Sequence, residues 1–277
     1  MIIAQISDPH VSIQADQADQ ATPDGVEPGS EAALRRAVAH INQLPTLPDV
    51  VLVTGDCADH GSALEYERVR SVLGDLRPPV YVVPGNHDHR ARMLDAFGPQ
   101  GEQPVEGFVQ YLVEGWPVRL IALDSHVPER GEGQLGEARL DWLDARLSEQ
   151  PERPTLLFMH HPPFRTGLPP LDEIRLVDAE ALGPIIARHP QVEAVVAGHV
   201  HAVMLRRFHG TVALTCSSTK HQLLPDVQRE VGLAAVTETP VCLLHVWRES
   251  TGLLTYASPI TGESGPVTVL HDGQRWM

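Results

Sequence analysis

Met1-Ile2-Ile3-Ala4-Gln5-Ile6-Ser7-Asp8-Pro9-His10 is an apolar run that stops on two metal-capable side chains. The run reads as a buried strand. Asp8 and His10 lie two residues apart, which on an extended backbone turns them to the same face. The pattern recurs in Val50-Val51-Leu52-Val53-Thr54, which runs into Gly55-Asp56. Three more motifs follow in order: Gly85-Asn86-His87-Asp88, His160-His161-Pro162-Pro163 and Gly198-His199-Val200-His201. Each comes after a short Val/Ile/Leu/Ala-rich run, so carboxylate, amide and imidazole groups gather at the ends of several strands.

Between the motifs the chain alternates strand and helix. Ser30 to Leu44 has helical spacing, with Ala33, Leu34, Ala37, Val38 and Ile41 on one side and Ser30 as the expected N-cap. Strand 50–54, helix 62–74 and strand 80–83 complete a βαβαβ rhythm, the mark of sheets covered by helices. Two strands are expected within 107–123, around Gly115-Trp116-Pro117. Helix 136–149, strand 155–159, helix 178–188 and strand 192–197 follow. The last third reads as short antiparallel strands at 203–208, 211–215, 241–248 and 253–257. Residues 11–28 and the Pro-rich 162–170 read as loops, and 11–28 with 162–176 as the segments that set specificity.

The bulk properties narrow the function. The chain has 277 residues, 42% hydrophobic and 21% charged, with a net charge of −15. That balance belongs to a soluble globular protein and opposes a polymeric nucleic acid partner, whose phosphates select basic surfaces. A small phosphate ester remains compatible, because bound cations invert the local field. Cys57, Cys216 and Cys242 are odd in number and unclustered, which argues against a disulfide framework or a thiolate metal site. Cys57 follows Asp56 and reads as a small buried thiol. No apolar run approaches a membrane span and no signal-peptide pattern opens the chain, so a cytoplasmic location and no membrane partner are expected.

A lone DxH or GD pair is ordinary turn chemistry, with Gly and Asn supplying φ > 0. Five such motifs in this order, each after a strand-like run, are not explained by turns. The donors are oxygen and nitrogen without thiolate, a set suited to Mn²⁺, Fe²⁺/Fe³⁺, Co²⁺ or Zn²⁺.

The order DxH, GD, GNHD, HHPP, GHxH resembles the calcineurin-like metallophosphoesterase superfamily. Within it the chain is similar to the bacterial class III cyclic-nucleotide phosphodiesterases and the glycerophosphodiesterases. The resemblance implies an α/β (α+β) fold, a four-layer αββα sandwich of two mixed sheets flanked by helices, with a dinuclear metal site at the strand ends. It implies a single domain over 1–277, with 203–277 supplying C-terminal strands of the second sheet and a surface for a homo-oligomer. Asp8, His10, Asp56 and His201 are the implied ligands of one metal ion. Asp56, Asn86, His160 and His199 are those of the other, with Asp56 bridging. His160 is preferred to His161, which should point away from the metals on an extended backbone. His87 is implied at the substrate phosphate, and His221 resembles a pocket histidine. Asp88 reads as a loop support, Asp124 as structural, and His126 and His209 as surface or packing residues.

The implied reaction is hydrolysis of small phosphodiesters, 3′,5′-cyclic nucleotides such as cAMP or glycerophosphodiesters, by metal-activated hydroxide attack on phosphorus. Phosphomonoester hydrolysis or broad phosphatase activity is the competing chemistry, and a non-catalytic metal-binding scaffold the competing role.

Overall fold

The computed structural model describes residues 1–13, 29–228, 232–236, 238–261, 270–271 and 274–275. Its elements, in chain order, are β1 (Ile2–Ile6), α1 (Ser30–Gln43), β2 (Val50–Val53), α2 (Ala63–Leu73), β3 (Val80–Val82), α3 (Arg90–Phe97), β4 (Tyr111–Val113) and β5 (Arg119–Ala122). Then come α4 (Gly136–Glu149), β6 (Thr155–Phe158), α5 (Pro169–Glu173), α6 (Ala179–Arg188), β7 (Val192–Ala197), β8 (Leu205–Phe208) and β9 (Thr211–Thr215). The chain continues with β10 (Gln222–Leu223), β11 (Ala235–Val236), β12 (Val241–Arg248), β13 (Gly252–Pro259), β14 (Leu270–His271) and β15 (Gln274–Arg275).

Two mixed sheets form the centre. The first has the order β13-β12-β1-β2-β3 and the second β4-β5-β6-β7-β9-β8. β1, β2 and β3 are parallel, in register Ile3 to Val50 and Val51 to Val80. β5, β6, β7 and β9 are parallel in the second sheet, with antiparallel β4 and β8 at its edges.

The side-chain alternation of the second sheet builds the layers. Leu120, Ala122, Leu156, Phe158, Ala194 and Val196 face a core shared with Ile3, Ile6, Val51 and Val53 of the first sheet. Their neighbours Ile121, Leu157 and Val195 face the other way, onto Leu140, Leu143 and Leu147 of α4 and Leu182, Ile185 and Ile186 of α6. Leu34, Val38 and Ile41 of α1 and Val69 and Val72 of α2 join the first core. The result is the four-layer helix–sheet–sheet–helix arrangement.

Four sequence expectations change. The C-terminal strands do not share one sheet: β8 and β9 extend the second, whereas β12 pairs with β1 and carries β13 into the first. Chain-distant pairing decided this; Leu244 lies opposite Ala4, a match that periodicity does not report. Ser30 is not the N-cap; Gly29 holds that place, and the Ser30 hydroxyl accepts from the Ser12 amide at 2.9 Å. The Pro-rich loop contains the start of α5, whose first turn tolerates Pro because its N–H is not needed there. Helix α3 was not anticipated, since Met93 is its one buried residue and leaves little apolar period to read. The expected loop 11–28 lies outside the described residues from 14 onward.

Candidate metal centre

The five motifs converge where β1, β2, β3, β6 and β7 end. The backbone there is unusual. Among the described residues, five of the eight non-glycine residues with positive φ are Asp8, His10, Asp56, His199 and His201. Such left-handed conformations cost energy in most residues and collect at functional sites. They correct one sequence argument: Asp8/His10 and His199/His201 converge through left-handed turns beyond the strands, not through strand pleat.

The motif glycines are set by space. A Cβ on Gly55, itself at φ 93°, would meet His160 Nδ1 at 2.3 Å. One on Gly198 would lie 2.1 Å from Ser7 Oγ and 2.7 Å from Asp8 Oδ2. These glycines let backbone and donor side chains approach closely.

Three histidines have their tautomers determined by oxygens that can only accept. His10 Nδ1 donates to Asp59 Oδ1 at 3.2 Å, His160 Nδ1 to the Thr54 carbonyl at 2.8 Å, and His201 Nδ1 to the His221 carbonyl at 3.1 Å. Each ring is thereby oriented with an Nε2 lone pair turned inward. The inward atoms form two groups. His10 Nε2 lies 3.1 Å from His201 Nε2 and 3.5 Å from Asp56 Oδ2, and His201 Nε2 lies 3.5 Å from Asp8 Oδ1. His160 Nε2 lies 3.0 Å from Asn86 Oδ1, 3.4 Å from Asp56 Oδ2 and 3.2 Å from His199 Nδ1, which is itself 3.0 Å from Asn86 Oδ1. One oxygen, Asp56 Oδ2, therefore reaches both groups.

The donor set fits cations. Two imidazole lone pairs facing each other at 3.1 Å cannot hydrogen-bond, nor can a lone pair facing an amide oxygen; a cation between them satisfies both. His/Asp clusters able to hold metal occur at Asp8–His10–His201 and Asp8–Asp56–His160. Burial alone would raise the Asp56 pKa, but His160, His10 and His87 hold it well below the usual carboxylate range. His160, despite burial, is lifted to about 9 by Asp56 and Asp8: without a metal ion, a proton is the cation that occupies its inward Nε2.

His87 sits on the rim. Its amide donates to Asp56 Oδ1 at 2.8 Å, and its Nδ1 donates to the Asp59 carbonyl at 2.9 Å, leaving Nε2 for the open side. Its ring meets that of His10 edge-on at 4.7 Å. His221 packs against His201 with ring centroids 4.7 Å apart. Burial and the neighbouring His201 and His10 push it down to about 4, so it is neutral.

His161 does not point to the opposite face as the strand argument expected, because β6 ends at Phe158. Its ring lies 4.6 Å from that of His199, and it clusters with His160 and His199. Both its nitrogens are engaged elsewhere: Nε2 donates to the Gly131 carbonyl at 3.1 Å, and Nδ1 accepts from Ser125 Oγ at 2.8 Å. His160 keeps the free lone pair.

The supporting residues are equally concrete. Asp88 accepts from the amides of Cys57, Ala58 and Gly85 and from the Tyr66 hydroxyl, tying the second motif to the third. Asp124 takes the Arg90 guanidinium at 2.6 and 3.1 Å plus two backbone amides. Cys57 is fully buried, and burial with the adjacent Asp88 raises its thiol well above the usual range. His126 is buried, and the His209 ring lies over Gly183, where a Cβ would meet it at 2.3 Å. Asp59 was missed by the sequence reading; a carboxylate three residues after Asp56 was the available signal. Ser218 was also missed. Its hydroxyl donates to the Asp8 carbonyl at 2.7 Å, and nothing local marks it.

The chain is similar to known proteins over most of its length. A family model described as calcineurin-like phosphoesterase matches residues 1–203. A probable glycerophosphodiester phosphodiesterase of Arcobacter nitrofigilis is 33% identical over 267 residues, 96% of each chain. The 3′,5′-cyclic adenosine monophosphate phosphodiesterase of Escherichia coli K12 is 33% identical over 177 residues, 64% of this chain and 63% of that one. A dimetal phosphatase of Danio rerio shares the fold with a TM-score of 0.65 at 18% identity, over 93% of this chain and 98% of that one. With its ordered motifs, its four layers and its two facing donor groups, the chain belongs to the calcineurin-like phosphoesterase family.

Proposed function

We propose that this chain is a two-metal phosphodiesterase of small phosphodiesters, 3′,5′-cyclic nucleotides or glycerophosphodiesters. The observation that carries the reading is Asp56 Oδ2, within 3.5 Å of His10 Nε2 and 3.4 Å of His160 Nε2. In this reading Asp8, His10, Asp56 and His201 hold one ion, and Asp56, Asn86, His160 and His199 the other. The donors suit Mn²⁺, Fe²⁺/Fe³⁺, Zn²⁺ or Co²⁺. Such an ion pair supplies Lewis-acid polarisation of the phosphoryl oxygens and an activated water near neutral pH.

The protein's own groups do the rest. The Asp59 carbonyl keeps the His87 ring turned outward, so its Nε2 faces the open side, where a proton it carries can be passed to a phosphoryl or leaving oxygen. Neutral His221, beside His10 and His201, supplies a substrate contact that adds no charge. The −15 charge keeps polymeric nucleic acid out of this reading. No helix among the described residues is long and apolar enough to cross a membrane. We place the enzyme in the cytoplasm on its three unpaired, buried cysteines. Exposed Leu254 and Tyr256 on β13 make the C-terminal strands the candidate face for self-association.

Metal-reconstituted protein should cleave bis-p-nitrophenyl phosphate faster than p-nitrophenyl phosphate. A faster monoester would replace the diesterase reading, and no turnover with any of the four metals would leave a scaffold. A panel of cAMP, cGMP, 2′,3′-cyclic nucleotides and glycerophosphodiesters then ranks the substrates.

A further inference from the structure

A second cavity, of about 270 Å³, opens where residues 163–165 pass between α6 and the edge strand β8. It shares no residue with the metal centre. Arg165, Arg175, Arg206 and Arg207 line it with His209, and Glu180 is its one carboxylate. In a chain of net charge −15 this is a local reversal of sign. Some arginines elsewhere are matched, as Arg90 is with Asp124 at 2.6 Å and Arg153 with Glu114 at 2.6 Å. Among the described residues none of the four has an ion-pair partner. Their hydrogen bonds hold backbone instead: Arg175 Nη1 donates to the Asp172 carbonyl at 2.8 Å and Arg206 Nη1 to the Arg165 carbonyl at 3.4 Å. Guanidiniums without an ion-pair partner around one cavity repel each other until an anion enters, and the guanidinium fork matches phosphate oxygens.

We propose that this cavity is a second, non-catalytic site for a phosphomonoester dianion. The charge of the site favours a dianion over a diester monoanion. That is the difference between product and substrate of diester hydrolysis, so the link to product rests on the function proposed above; the anion site itself does not. Pro163 stands two residues after His161, which gives occupancy of the site a short covalent path to the metal centre.

The competing account is that Arg206 and Arg207 merely protect the outer edge of β8 from pairing with another strand. Calorimetric titration of metal-loaded protein with inorganic phosphate at fixed ionic strength separates the two. Asp56→Asn, which impairs the metal centre, should keep one phosphate site. In that background methyl phosphate should bind more tightly than dimethyl phosphate. Arg206→Gln/Arg207→Gln should weaken this site by roughly tenfold or more while bis-p-nitrophenyl phosphate turnover in phosphate-free buffer stays at wild type. If the Gln pair does not fold, Arg206→Lys/Arg207→Lys should fold and still weaken binding, since Lys lacks the fork. Unchanged phosphate affinity in the arginine variants, or no phosphate bound by Asp56→Asn, overturns the site. Failure of the hydrolase reading would show separately, as absent wild-type turnover.

Discussion

Gly85 lies directly against Asp56: a Cβ at Gly85 would stand 2.1 Å from Asp56 Oδ1 and 2.5 Å from its backbone nitrogen. Gly85 is absent from the positive-φ glycines, so the site requires its missing side chain rather than its conformational freedom. Gly85→Ala should therefore displace the carboxylate that faces both donor groups. The expected result is a loss of at least about 10²-fold in kcat together with lower bound metal, read by bis-p-nitrophenyl phosphate turnover and elemental analysis. Wild-type values for both would show that the loop yields freely.

Asp56→Ala and Asn86→Ala remove donors directly. Both should abolish diesterase activity and reduce metal content. Asp56→Ala should affect both ions and Asn86→Ala mainly one, measured as metal-to-protein ratio after desalting. Near-wild-type turnover by metal-depleted protein would sink the two-metal mechanism.

His87 and Asp59 should separate chemistry from binding. His87→Ala should retain its metals and lower kcat by about 10²-fold or more, the usual range for a positioned proton donor. Asp59→Asn should act through the His10 ring, because it replaces the carboxylate that orients His10 and keeps the main-chain carbonyl that orients His87. A weakened metal affinity along with a smaller fall in kcat is expected, the scale typical of lost support around a ligand histidine. Unchanged metal affinity in Asp59→Asn would remove its role in orienting His10.

His245 on β12 makes the fold sensitive to acid away from the metal centre. The ring is buried between Gln5 and Thr255, donating from Nε2 to Gln5 Oε1 at 3.1 Å and accepting at Nδ1 from Thr255 Oγ1 at 2.9 Å. Burial lowers it from its ordinary 6.5 to about 4. The unfolded chain therefore binds the extra proton first, and stability falls as pH drops through the interval between those values. From about pH 7 to about pH 5 this group accounts for about 2 kcal/mol of lost stability. His245→Gln should flatten that part of the profile in urea titrations of metal-free protein. Parallel pH profiles for variant and wild type would refute the assignment.

How much of this was legible beforehand follows from range. The strand runs and most helices depend on local pattern, and they were readable from composition and spacing; the donor motifs were visible as motifs, and their assignment as ligands rested on the family resemblance. Helix α3 escaped because a single buried residue leaves no apolar period. Asp59 escaped because its function is visible only once the His10 ring stands beside it.

The chemistry was already present in the sequence: oxygen and nitrogen donors placed after apolar runs, and no thiolate to compete. Tertiary structure alone decided which atoms meet. Left-handed turns, not strand pleat, bring Asp8 to His10 and His199 to His201. Oxygens from distant residues select the inward nitrogen of His10, His160 and His201. Chain-distant pairing sent β12 and β13 to the first sheet and left Arg206 and Arg207 on the exposed edge of the second. These outcomes depend on contacts between residues far apart in the chain, where local periodicity carries no information.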